Sequence, residues 1–167
     1  MYKAAKTAFR LISCMILVSS CTDREKSSPY AEILNRAPFA ALGDSIRKDP
    51  GNDGLWFRRA VLLNSNNFPE PALADFQKAW ALKKEEKYAL GISTLLLESN
   101  ADSALFFLKE AIQEVPNSLL LHLSLARTYE KKNDPDAALE ICNQILQSNP
   151  QQTDVLKLKA DLLDKKG

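Results

Sequence analysis

The sequence predicts an all-α protein built as an array of antiparallel helix pairs, and three observations carry that expectation. The first is a repeated apolar grammar. Within Pro71 to Lys84 (PALADFQKAWALKK), Ala72-Leu73, Phe76 and Ala79 share one helical face; Ala104-Leu105, Leu108 and Ala111 repeat it, as do Ala138-Leu139, Cys142 and Ile145. The three copies open at Ala72, Ala104 and Ala138, so the two steps are nearly equal. The second is that apolar residues recur three and four apart from Tyr30 onward, with no run alternating long enough to suggest a sheet. The third is punctuation: glycine is scarce, and Asp49-Pro50-Gly51-Asn52, Val115-Pro116-Asn117 and Asn149-Pro150 close the periodic runs.

The first 20 residues stand apart from the array. Lys3, Lys6 and Arg10 form a basic start, Leu11 to Val18 (LISCMILV) a short apolar run, and Ser19 and Ser20 lead into Cys21. This is the order of an export signal, and the run is far below the roughly 20 apolar residues of a membrane-spanning helix. No polar face recurs between Leu11 and Val18, which excludes an amphipathic first helix of the fold. Val18-Ser19-Ser20-Cys21 resembles the bacterial lipobox. That resemblance implies removal of residues 1–20 and acylation of Cys21, the lipid anchoring the chain to a membrane; the alternative is an ordinary secreted protein with Cys21 free. Thr22 rather than an aspartate follows, which by the sorting habit of such lipoproteins implies the outer membrane, with the leaflet open. Residues 21–29, closing in TDREKSSP, read as the lipidated cysteine and a polar tether.

Loss of residues 1–20 removes three basic residues and no acidic ones, leaving 19 basic against 21 acidic, net −2. A faintly acidic chain without a basic block offers no footprint for nucleic acid. Cys14 leaves with the signal and Cys21 takes lipid, so Cys142 stands alone and no internal disulfide is expected. The fold must then hold by packing.

From Tyr30 the elements follow in order. Tyr30 to Arg36 is a short helix candidate, and Ala37 to Lys48 a firmer one with Phe39, Leu42 and Ile46 on one face. Gly54 to Asn64 spaces Trp56, Arg59, Ala60 and Leu63 for a helix, and the turn Ser65 to Pro69 leads into the helix from Glu70 to Lys83. The spacing Trp56-x2-Arg59-Ala60-x2-Leu63, then Ala72-x3-Phe76 and Ala79, resembles the tetratricopeptide repeat, a helix-turn-helix unit of fixed period. Ala60 and Ala72 are small where the paired helices approach, with Trp56 and Phe76 on either side. No proline follows this repeat; Lys84-Glu85-Glu86 suggests that its second helix runs almost straight into the next.

His122, Leu125-Ala126 and Tyr129, then Ala138, Cys142 and Ile145, repeat the pattern, with Asp134 as an N-cap before Pro135. The middle unit departs from it. Leu90-Gly91 looks like the pattern's L-G pair, but Gly91 stands one position too far ahead of Ala104 when set against Ala60 before Ala72 and Ala126 before Ala138. Either the turn near Ser99-Asn100 carries an extra residue or the helix is shifted. Finally, Thr153 to Lys165 places Leu156, Ala160 and Leu163 at first-helix spacing, as a lone closing helix with a polar outer face. The organisation expected is capping helices over 30–52, repeats over 53–86, 87–118 (irregular) and 119–152, and a closing helix over 153–167.

Catalysis is not expected. His122, the only histidine, takes the pattern's tryptophan position and reads as packing; Cys142 takes a core position and reads as a buried thiol. Arg58-Arg59 reads as surface and intra-repeat packing. There is no glycine-rich phosphate loop, no G-x-S-x-G and no H-E-x-x-H, so neither metal nor cofactor beyond the lipid is expected. What the resemblance implies is a concave groove lined by the first helix of each pair. It would offer Phe57, Val61, Asn64 and Ser65 from the first repeat and Leu123, Arg127, Glu130 and Lys131 from the third. The middle repeat would offer Tyr88 or Ala89, and Leu95 or Leu96. The alternative for Phe57 and Val61 is packing on a neighbouring cap. Such a groove suits an extended peptide or a partner helix. Three roles fit: a lipid-anchored scaffold holding another envelope protein, a self-associating structural lipoprotein, or a non-catalytic accessory subunit of an envelope enzyme.

Overall fold

The computed structural model describes residues 28–166, so Cys21 and the expected export signal and lipid attachment lie outside the described residues. The described chain is helical, without strands. α1 (Ala31–Leu34) and α2 (Phe39–Lys48) open it, followed by α3 (Asp53–Ser65), α4 (Pro69–Leu82), α5 (Glu86–Ser99), α6 (Ala101–Glu114), α7 (Leu119–Lys131), α8 (Pro135–Ser148) and α9 (Thr153–Lys166). Each helix packs on its sequence neighbours, and α5 with α7 and α7 with α9 also touch, so α3–α4, α5–α6 and α7–α8 are stacked pairs.

Small side chains set how closely the paired helices approach. Ala60 and Ala72, and likewise Ala126 and Ala138, have no exposure at all, because a larger side chain at these positions would hold the backbones apart. Aromatic and branched residues fill the remaining space. Phe39, Leu63, Phe76 and Ile92 belong to one cluster, Leu108, Leu121 and Leu125 to a second, and Cys142, Val155 and Leu162 to a third. The opening helices close one end: Phe39 meets Phe68 edge-on at 5.7 Å and Ile46 is buried, while Leu42 is half-buried.

The turns within pairs obey backbone chemistry. Asn67 and Asn133 occupy the same place in the first and third turns, with φ of 61° and 59°. Asparagine tolerates this left-handed region better than other non-glycine residues. Replacing Asn133 by valine should cost about 1–2 kcal/mol, and by glycine close to nothing, as read from urea unfolding midpoints; equal midpoints for the two variants would contradict this.

The middle pair settles its register, and against an extra residue. The first helices begin at Asp53, Glu86 and Leu119, which are evenly spaced, so Trp56, Ala89 and His122 are equivalent, as are Ala60, Ser93 and Ala126. Ser93, only 3% exposed, therefore holds the close-approach position and not Gly91. The turn is shorter than its counterparts: Asn100 alone separates α5 from α6, and its side chain caps α6 by accepting from the Ser103 N–H at 3.0 Å. Nor does α4 run on into α5. Lys83 and Glu85 are extended, and Glu85 is ion-paired with Lys83 at 2.5 Å and Lys87 at 2.6 Å.

Of the pair Arg58-Arg59, expected as surface and intra-repeat packing, Arg58 is exposed and Arg59 packs: it is 1% exposed and bonds Asp75 of α4 through two nitrogens, at 2.6 and 2.9 Å. One further difference matters. On α9 the buried residues are Val155, Leu158 and Leu162, while Leu156 and Leu163 stay 45% and 50% exposed, so the outer face expected to be polar carries an apolar stripe.

Candidate functional site

The face that the resemblance makes the inner one can be traced from a charged cleft among the described residues. Arg127 and Glu130 of α7 and Asp154, Lys157 and Asp161 of α9 line an open space of about 340 Å³ floored by Leu158. Aligning the starts of α5 (Glu86), α7 (Leu119) and α9 (Thr153) makes Leu90 the equivalent on α5 of Lys157, and Thr94 and Leu97 those of Arg127 and Glu130. On α3, which begins at Asp53, they are Phe57, Val61 and Asn64. The face is thus mainly apolar over the first two pairs and charged over the last.

The structure treats the predicted groove residues unequally. Val61 is 46% exposed, and Asn64, Ser65, Arg127 and Lys131 are exposed, as a binding surface requires. Glu130 is half-buried and accepts from the Lys165 ammonium, while the Lys131 ammonium donates to the Leu97 carbonyl, so this part of the face is tied across neighbouring helices. Leu123 is a correction: at 6% exposure it belongs to the core between α7, α8 and α9. Phe57 is half-buried, its ring 5.8 Å from Phe76 and 5.2 Å from Tyr88, with the Lys87 ammonium 5.5 Å away over its face. Phe57 joins the first pair to the second rather than packing on a cap.

The middle-repeat expectations fail for one physical reason, the register. Tyr88 and Ala89 have no exposure, Leu95 has 5% and Leu96 is half-buried against the first core cluster. Tyr88 is held by a hydrogen bond to Asp53, and burial, then that bond, pushes its hydroxyl well above the usual tyrosine range. By this register the face positions are Leu90, half-buried against the second core cluster, exposed Thr94 and half-buried Leu97, with Leu120 (45% exposed) at the position equivalent to Asp154. The even spacing of Trp56, Ala89 and His122 is the signal in the sequence that finds them.

Other chemistry-bearing groups are occupied in packing. His122 is half-buried with Nδ1 2.8 Å from the Ser118 carbonyl, beside a shallow space of about 370 Å³ that Gln144 and Ser148 also line. Cys142 is fully buried, and burial pushes its thiol up. Among the described residues no group of three histidine, cysteine, aspartate or glutamate side chains could hold a metal, and no helix is long and apolar enough to cross a membrane.

With this geometry in hand, comparison with known proteins is direct. Residues 95–162 match the tetratricopeptide repeat family model. No curated protein matches the sequence. Among solved structures, YrrB, described as a TPR protein with an unusual peptide-binding site, is 21% identical, with a TM-score of 0.61 over 76% of this chain and 66% of its own. pilF of Pseudomonas aeruginosa is 23% identical, with a TM-score of 0.66 over 82% of this chain and 64% of its own. MamA is 15% identical, with a TM-score of 0.65 over 77% of this chain and 71% of its own. The chain thus spans slightly less than two thirds of the length of YrrB and of pilF, and at these identities the likeness is one of fold. Residues 95–162 thus match the tetratricopeptide repeat model, and the stacked helix pairs carry the same fold along the rest of the described chain.

Proposed function

We propose that this protein is a lipid-anchored, non-catalytic scaffold of the bacterial envelope that holds an extended segment of another envelope protein along its inner face. The observation that carries the reading is the contrast along that face: Val61 is exposed on the first pair and Leu120 at the start of α7, and the charged Arg127–Asp161 cleft follows further along α7 and on α9. An extended segment with apolar residues followed by charged ones complements that order. YrrB, of similar fold, is described as having a peptide-binding site, which supports the reading in kind.

The test must avoid the core. Phe57 and Leu123 are packing residues, so acidic substitutions there would unfold the array. Val61→Glu with Leu120→Glu alters exposed positions only. The pair should lower capture of the partner from native envelopes at least about tenfold, as expected for charges placed in an apolar contact, while the helical circular dichroism stays unchanged. Undiminished capture would send the search to the convex face.

Anchoring rests on Cys21 and the sequence before it. Cys21→Ser should move the protein from the membrane fraction to the soluble fraction and remove the acyl mass from its N-terminal peptide. A variant that stays in the membrane fraction would argue against the lipid and for anchorage through a bound partner. The outer membrane is the expected destination.

A further inference from the structure

The apolar stripe of α9 points to a second surface, which adjoins the inner face at Lys157. With the start of α9 (Thr153) set against the start of α7 (Leu119), Leu156, Ala160 and Leu163 are equivalent to His122, Ala126 and Tyr129. In α7 these positions are half or wholly covered, with α8 as the paired helix; in α9 all three are exposed, the leucines at 45% and 50%. The opposite end of the array has no such face, because α1 and α2 bury Leu34, Phe39 and Ile46 there.

We propose that α9 packs on α9 of a second copy, antiparallel, joining two arrays end to end. The occupant is identified by charge. Lys157 and Asp164 lie two helical turns apart, hence on the same flank of the stripe, and neither has an ion-pair partner among the described residues. When two such helices pack antiparallel about a two-fold axis, like flanks meet. With Leu156 facing Leu163 of the second copy, Lys157 then lies within about 3 Å along the axis of the second copy's Asp164, and the contact is made twice. A parallel pairing about a two-fold axis would bring unlike flanks together and set Lys157 beside Lys159 of the second copy, so the charge order favours the antiparallel one. Ala160, near the centre, lets the backbones approach. The other flank carries Lys159 and Lys166 but is turned toward α8, where Lys166 pairs with Asp136. The apolar area is small, so the dimer is expected to be reversible, with a Kd on the order of tens of micromolar.

The experiment is sedimentation equilibrium of the full chain in a mild detergent, for wild type, Lys157→Glu, Asp164→Lys and an equimolar mixture of the two variants. All the changed positions are exposed, so the fold is preserved. Each variant alone should dimerise roughly tenfold more weakly than wild type, because both contacts become repulsive. The mixture should recover wild-type affinity, since both variants together restore an attractive contact in the heterodimer. Two results would overturn the proposal. One is a wild-type monomer across concentrations up to about 500 μM, well above the expected Kd, as when residues 1–27 cover α9 within one copy. The other is an Asp164→Lys variant that associates like wild type, as for pairing through the micelle or through the inner-face cleft, which Lys157 lines and Asp164 does not.

Discussion

Asp75→Ala is expected to destabilise the array by about 3–5 kcal/mol, the usual cost of leaving one member of a buried ion pair without its partner. Arg59 and Asp75 are 2% and 5% exposed at the side chain, and Arg59 also lies 5.1 Å from the Trp56 ring centre, so no bulk water is at hand to replace the carboxylate. The pair is not required by the architecture. In the register of the helices, the equivalent places hold Ile92 with Phe107 and Leu125 with Ile141, each within an apolar cluster. Arg59→Leu combined with Asp75→Ile should therefore restore stability to wild type or above it, because two desolvated charges are exchanged for apolar burial. Chemical unfolding followed by helical circular dichroism measures all the variants. A single Asp75 variant within about 1 kcal/mol of wild type, an ordinary hydrogen bond's contribution, would contradict the account.

Second in size is the junction between the first two pairs, where Gly91 meets Phe76. A Cβ at Gly91 would lie 2.7 to 2.8 Å from the Phe76 ring, and that ring is itself held by Phe57 at 5.8 Å. Neither group can yield cheaply. Gly91→Ala should cost about 1–3 kcal/mol through overpacking, and Phe76→Ala about 3–5 kcal/mol through the cavity it leaves. The double variant should cost clearly less than the two together, since the new methyl occupies space that the ring gave up. Strict additivity would mean that the two residues do not meet.

Gly91 also shows which parts of the fold are legible in the sequence and which mislead. The repeat grammar of the second helices, Ala72-Phe76-Ala79 and its echoes, recurs in the structure as fully or nearly fully buried positions, because small and large residues at helical spacing suit only one packing face. The first helix of the middle pair is easily misplaced because a glycine beside a leucine mimics the motif, whereas its physical role is contact with the preceding pair. Ser93, at the true close-approach position, carries no motif signal. Intra-repeat packing by one of Arg58-Arg59 is legible, but which partner it takes is not: Asp75 lies 16 residues away on α4, and nothing local announces it. The exposure of Val61 and Arg127 is legible from the pattern. The burial of Leu123 is not, since α9 packs over the side of α7 that the pattern assigns to solvent. The stripe on α9 is legible in its spacing but not in its side, because a lone first helix buries the face toward the preceding pair and leaves the face of its missing partner open.

The central claim, that the inner face receives a partner segment, is tested most directly by a photo-cross-linking residue placed singly at Val61, Thr94, Arg127 and Phe106. The first three lie along the proposed path, and Phe106, 68% exposed on α6, lies on a second helix of a pair and off that path. The account predicts that one and the same envelope protein is trapped from Val61, Thr94 and Arg127, with successive stretches of its chain attached, and that Phe106 traps nothing in common with them. A shared adduct from Phe106, with none from the three inner positions, would place the partner on the outer surface and contradict the claim.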